Sequence, residues 1–217
     1  LVVTALTAIL GFRLQEDHAK RSPTSPTPKG ANVMVVGGGC FWCLDSMYRQ
    51  LKGVLSVECG YAGGSPAGVS YEQVCSGTTG HAEVVRITFD PKQVSEADLL
   101  RIFFTVHNPT TLDRQGPDEG TQYRSVIFYS SPEEKDLAEK IKVEIEKAKI
   151  WDAPIVTSIE PIKNYTRAED YHQDYFDKYE KATPAQRMMM NGSYCQAIIA
   201  PKVLHFRELY ASKLKKQ

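Results

Sequence analysis

The chain has 217 residues, enough for one well-packed domain and short for two. Lysine plus arginine and aspartate plus glutamate each total 26. With zero formal net charge and no basic block, an electrostatic nucleic-acid binder is excluded.

Residues 1–14 (LVVTALTAILGFRL) are apolar but too short to span a bilayer. They read as the remnant of a secretory h-region or of a membrane anchor, with a loosely packed tail as the alternative. The expected compartment follows: cytoplasmic, or exported or membrane-anchored if this segment belongs to a signal or anchor. Residues 21–30 (RSPTSPTPKG) read as a linker. Two parts are therefore expected: residues 1–30 as apolar segment and linker, and residues 31–217 as a single domain.

Val33 to Val36 reads as a buried strand, and Gly37-Gly38-Gly39 permits a sharp turn and close backbone approach. Leu44, Met47, Tyr48 and Leu51 then recur at helical spacing. Cys40 thus sits where a strand hands over to a helix, in a field predicted to lower its thiol pKa. Phe41 and Trp42 cannot both enter the core without displacing Leu44 and Met47. At least one should line a pocket, and an aromatic pocket favours an apolar or sulfur-bearing group.

Val54 to Tyr61 is a predicted strand, and Tyr71 to Cys75 a single helical turn. In the strand following Gly80, Val85, Ile87 and Phe89 share one face with Glu83, while Arg86 and Thr88 face away. An unpaired carboxyl on an apolar face should hold its proton. Ser95 caps a helix that runs to Val106. Asn108 to Gly120 is a loop, Thr121 to Tyr129 a strand, and Pro132 to Trp151 an amphipathic helix. Ile155 to Ile162 is a further strand, and Ala168 to Lys181 a helix. From Thr183 the chain reads as irregular until a closing helix over Pro201 to Lys216. Strands and helices alternate with uneven crossovers, predicting an α+β fold: a two-layer α/β sandwich with a mixed sheet and a ferredoxin-like core.

Five cysteines is an odd, small number for a disulfide scaffold, so some thiols are read as redox or catalytic. Cys40 and Cys43 form a C-x-x-C pair with three meanings: a redox dithiol, half a zinc site, or a nucleophile beside a bystander. Zinc is the weakest, since Cys59, Cys75 and Cys195 are scattered singly. A hydrolase dyad of Cys40 with His81 is weaker than a structural histidine, because no orienting Asn or Asp stands out. Cys59 and Cys75 read as structural, the tyrosines of residues 171–179 as core, and Met188 to Met190 as gap-fillers.

Gly39-Cys40-Phe41-Trp42 and Gly60-Tyr61-Ala62-Gly63-Gly64 carry a resemblance. With Tyr71 to Gly77, Gly80-His81-Ala82-Glu83 and Gly120 to Ser125 in the same order, the chain resembles A-type peptide methionine sulfoxide reductases over roughly residues 32–167. The resemblance implies that Cys40 attacks the sulfoxide sulfur and becomes a sulfenic acid, with Glu83 protonating the oxygen. Tyr71 and Tyr123 are then the phenols that hydrogen-bond that oxygen, Asp118 is the matching loop carboxylate, and Phe41 and Trp42 enclose the methyl group. Position 43 departs from the pattern, since many relatives carry Gly there. Cys195, in a flexible Gly-bearing segment, matches the usual resolving position; Cys43 is the alternative, one helical turn away, where a helix would strain a disulfide.

The implied activity is reduction of methionine-(S)-sulfoxide, free or in proteins, as repair after oxidation. The enzyme would need no metal, flavin or nicotinamide and would be recycled by a thioredoxin-type reductant. A monomer is expected, with no nucleic-acid partner and no membrane contact except through the N-terminal segment. Two rival readings are a thioredoxin-like disulfide oxidoreductase and a non-catalytic sulfoxide-binding module.

Overall fold

A computed structural model describes residues 21–216; the apolar segment 1–14 lies outside the described residues. The strands are β1 (Asn32–Gly37), β2 (Val54–Ala62), β3 (Ala82–Phe89), β4 (Arg114–Gln115), β5 (Asp118–Glu119), β6 (Val126–Tyr129), β7 (Ser158–Pro161) and β8 (Thr166–Arg167). The helices are α1 (Phe41–Tyr48), α2 (Tyr71–Cys75), α3 (Glu96–Val106), α4 (Pro132–Ala148), α5 (Tyr175–Lys181), α6 (Pro184–Arg187), α7 (Gly192–Tyr194) and α8 (Ala200–Leu209). A π-helical turn, Cys195–Ile199, joins the last two.

Alternation builds the sheet. In β1, Met34 and Val36 face the main core while Val35 faces a smaller second cluster with Ala62, Ala82, Val84, Val126 and Phe128. In β3, Val85, Ile87 and Phe89 face the main core, as the periodicity predicts. The strand order is β7-β6-β1-β3-β2-β8, antiparallel except for the parallel β6–β7 pair. Its centre follows the path β1-α1-β2-β3-α3-β6 with strand order β6-β1-β3-β2. That is the split βαβ arrangement of a ferredoxin-like fold. The mixed sheet with packed helices is the expected architecture.

Local chemistry sets the boundaries. Ser95 accepts from the Asp98 N–H and opens α3. Ser131 accepts from the Glu134 N–H and opens α4, which stops short of Trp151 because Lys149 takes a left-handed conformation. The strand predicted from Thr121 is confined to Val126–Tyr129, since Gly120 turns the chain into a 3₁₀ turn over Thr121–Tyr123. The helix predicted over Ala168 to Lys181 is broken. Gln173 instead accepts from the Cys59 N–H (2.8 Å) and donates to the Cys59 and Ala168 carbonyls (3.0 Å each). Asp174 is then left-handed, and α5 starts only at Tyr175. The segment after Thr183 is more regular than expected. Thr183 and Gln186 form a capping box on α6, and the closing helix starts at Ala200 and ends at Leu209.

Two of the three glycines between β1 and α1 show why the run is needed. A Cβ on Gly37 would lie 2.7 Å from the Glu83 carbonyl oxygen. Gly39 has φ +87°, and a Cβ there would lie 2.5 Å from Gln115 Cγ. Gly39→Ala is expected to cost at least about 1–3 kcal/mol, lowering the melting temperature by roughly 3 °C or more in a calorimetric scan. An unchanged midpoint would contradict this steric account.

Candidate active site

Cys40 ends the glycine turn and occupies the N-cap position of α1, with φ −58° and ψ 123°. Phe41 and Trp42 form the first turn of that helix, so one short segment delivers a thiol and two aromatic walls. On the neighbouring β3, Glu83 points to the same face, and its Oε2 accepts a hydrogen bond from the Phe41 N–H (3.1 Å). Tyr71 arrives on α2, whose N-cap Ser70 and Gln73 form a capping box. Asp118 comes from β5, and Tyr123 from the 3₁₀ turn after Gly120.

These residues, separate in sequence, line one pocket of about 230 Å³. Asn191 and Tyr194 complete it. Sequence reasoning missed both, having taken the run Asn191 to Cys195 only for its cysteine. The Tyr194 phenol donates to Asp118 Oδ2 (2.7 Å) and contacts the Cys40 sulfur. Trp42 stacks on Tyr175 (centroids 3.8 Å apart, 6° between planes) and meets Tyr194 edge-on. Tyr175 therefore supports the wall from behind instead of serving only the core. A larger groove of about 400 Å³, lined by Arg49, Asp177, Glu180, Arg207 and Lys215 among others, has no cysteine in its lining.

Electrostatics refine the sequence reading. Glu83 is 2% exposed, and burial followed by the nearby Cys40 pushes its carboxyl well above the usual range. The Phe41 N–H opposes that shift without overcoming it. Cys40 is also raised, first by burial and then by its contact with Cys43, whereas Tyr194 and the Trp42 N–H favour the thiolate. The helix N-terminus alone does not set this thiol; the dry pocket outweighs it. Burial favours the neutral form of both Cys40 and Glu83, and the neighbouring thiol adds to the Glu83 shift.

The remaining cysteines differ in access, and none of the five is paired in a disulfide. Cys43 is buried behind Cys40, and the hydrogen bond from the Cys40 thiol lowers its pKa. Because Cys40 lies outside the helix proper, the strain expected for a Cys40–Cys43 pair within one helix does not apply. Cys195 is fully buried in the π-helical turn, and burial followed by Cys40 pushes its thiol up to about 11. Cys59 is buried in β2, as expected. Cys75 is exposed at the end of α2, contrary to its expected packing. His81 is buried against Gly64 outside the pocket. Met188 and Met189 are not gap-fillers, being 86% and 89% exposed.

Among the described residues, no group of three or more His, Cys, Asp or Glu is placed to hold a metal ion. No described helix is long and apolar enough to cross a membrane.

Residues 32–208 match the sequence profile of the peptide methionine sulfoxide reductase family. The chain belongs to that family. It is 50% identical over 181 residues to "Peptide methionine sulfoxide reductase MsrA" of Granulibacter bethesdensis, covering 83% of this chain and 92% of the relative. Among solved structures, reduced Mxr1 from Saccharomyces cerevisiae is similar, with TM-score 0.68 and 40% identity over 73% of this chain and 91% of that one. Mxr1 in complex with Trx2 is similar with TM-score 0.51 and 29% identity, covering 70% of this chain and 91% of the other. A methionine sulfoxide reductase needs a nucleophilic thiol, a proton donor and a cage for a methyl group. The pocket of this family member holds groups of each kind.

Proposed function

We propose that the chain reduces methionine-(S)-sulfoxide, free or in proteins, to methionine. The observation that carries this reading is a buried Glu83 beside the Cys40 thiol in an aromatic pocket, where burial raises its carboxyl pKa. The sulfoxide methyl packs against Phe41 and Trp42, and its oxygen meets Glu83, Tyr71 and Tyr123. Burial pushes both phenols above their ordinary range, so they remain hydrogen-bond donors.

Cys40 attacks the sulfoxide sulfur, forming an S–S bond as the S–O bond breaks and the oxygen leaves as water with the Glu83 proton and the thiol proton. That water then attacks the Cys40 sulfur, the S–S bond breaks with its electron pair leaving on methionine, and a proton returns to Glu83. The substrate sulfur gains two electrons and Cys40 loses two, the oxygen ending on Cys40 as a sulfenic acid. A second thiol then attacks the Cys40 sulfur, giving a disulfide and releasing water. Contact with Cys40 supports Cys43 for this step ahead of Cys195. An external dithiol protein of the thioredoxin kind then reduces the disulfide, a reading supported by the complex of the yeast relative with Trx2.

Thiol mapping after one turnover with separated epimers tests this sequence of events. The S epimer should yield methionine and a Cys40–Cys43 disulfide, and the R epimer neither. Cys43→Ser should then lose recycling by a thioredoxin-type protein, while Cys195→Ser keeps it. A dominant Cys40–Cys195 bridge, with Cys43→Ser recycling normally, would return the resolving role to Cys195. Disulfide exchange without sulfoxide consumption would favour the thioredoxin-like reading.

A further inference from the structure

Arg21 precedes β1 and lies outside the family-matched span, yet it reaches the back of the pocket. Its guanidinium ion-pairs with Glu169 and donates to the Val69 carbonyl (2.6 Å). The next residue holds on as well: the Ser22 N–H and hydroxyl donate to the two Asp170 carboxylate oxygens (2.8 and 3.0 Å).

Glu169 is buried, its side chain only 3% exposed. Its Oε1 accepts from the Tyr71 N–H at the start of α2 (3.1 Å), and its Oε2 accepts from the Tyr61 hydroxyl (2.8 Å). The same Oε2 lies 4.0 Å from His172 Nε2. The His172 ring in turn lies against Tyr71, Phe41 and Trp42, with centroids 4.7, 4.9 and 5.6 Å away. One carboxylate thus touches the backbone of one pocket wall and the histidine that backs all three aromatic walls. A buried carboxylate persists as an anion only when a cation and hydrogen-bond donors match it. Among the described residues, Arg21 is the guanidinium that does so.

We propose that Arg21 is a positioning residue for the sulfoxide pocket, fixing Tyr71 and the Phe41–Trp42 wall through Glu169. The inference rests on the reading of the pocket given above. Without Arg21, the Val69 carbonyl loses a donor and the carboxylate holding the Tyr71 N–H loses its counter-ion. Arg21 itself contacts neither Cys40 nor Glu83, so the loss is expected mainly in binding.

Single-turnover kinetics of the full chain with methionine sulfoxide test this. Arg21→Ala should raise the half-saturating sulfoxide concentration about three- to tenfold and leave the maximal rate within about twofold. Millimolar guanidinium should reverse that rise. Arg21→Lys, which keeps the charge but not the forked hydrogen bonding, should fall between. Arg86→Ala frees the same segment from Thr27 (2.7 Å) without touching Glu169 and should bind sulfoxide normally. An unchanged half-saturation in Arg21→Ala, an equal rise in Arg86→Ala, or no response to guanidinium overturns the proposal. Tyr71→Phe separates the two levels. If it weakens binding and Arg21→Ala does not, the inference fails and the pocket stands. If Tyr71→Phe also binds normally, the assigned role of Tyr71 fails too.

Discussion

Cys40→Ser is expected to lose all but trace reductase activity while keeping its fold and melting temperature. The serine hydroxyl fits the N-cap position and accepts hydrogen bonds there at least as well as a thiol, so no structural loss is expected. What disappears is the chemistry. A hydroxyl oxygen can neither attack the sulfoxide sulfur effectively nor accept its oxygen as a sulfenic acid. Cys43, Cys59 and Cys195 do not line the pocket and cannot substitute. An assay of methionine formation with dithiothreitol checks this, and substantial retained turnover would move the reaction to another thiol.

Glu83→Gln is expected to slow reduction by ~10²–10⁴-fold, the range for loss of a general acid. Gln retains an oxygen for the Phe41 N–H but has no acidic proton to give. The pH dependence carries the sign. Burial raises the Glu83 pKa in the fold well above its ordinary value near 4.5, so the acid form persists to higher pH than in a free carboxyl. Activity should fall as pH rises through the raised value, and Glu83→Gln should lack that alkaline limb.

Stability follows the same linkage. The fold binds a proton that the unfolded chain releases above about 4.5. The Glu83 contribution is therefore fully present below the unfolded pKa and declines as pH rises through the folded one. Glu83→Gln should accordingly melt no lower than the parent at neutral pH and progressively higher above it. Rates and melting points measured across pH check both halves. A mutant with the parental pH profile would make Glu83 a structural acid.

The two residues that dominate these expectations were legible because their signals are local. Cys40 stands between a strand and a helix behind three glycines, and strand alternation alone puts Glu83 beside Val85 and Ile87. The ferredoxin-like centre was legible for the same reason, since β1, β2, β3, α1 and α3 each carry clear periodicity. Features set by tertiary contacts were not. Gln173 breaks a helix because it serves the β2 backbone, and nothing in its neighbours announces that. Tyr194 joins the pocket only because the C-terminal helices fold back over Asp118. The Cys40 thiol was expected to be lowered by the helix N-terminus, but how dry the pocket is depends on Trp42, Tyr175 and Tyr194 packing together. Arg21, in a stretch that reads as linker, shows its partner only in three dimensions.

The most direct measurement of the central claim is a single turnover of the Cys43→Ser, Cys195→Ser double variant with each resolved epimer of methionine sulfoxide, quenched by a sulfenic-acid trap. The account predicts one methionine per chain with the S epimer, the trap on Cys40 alone, and no product or label with the R epimer. Methionine formed without a Cys40 label, or equal turnover of both epimers, would contradict it.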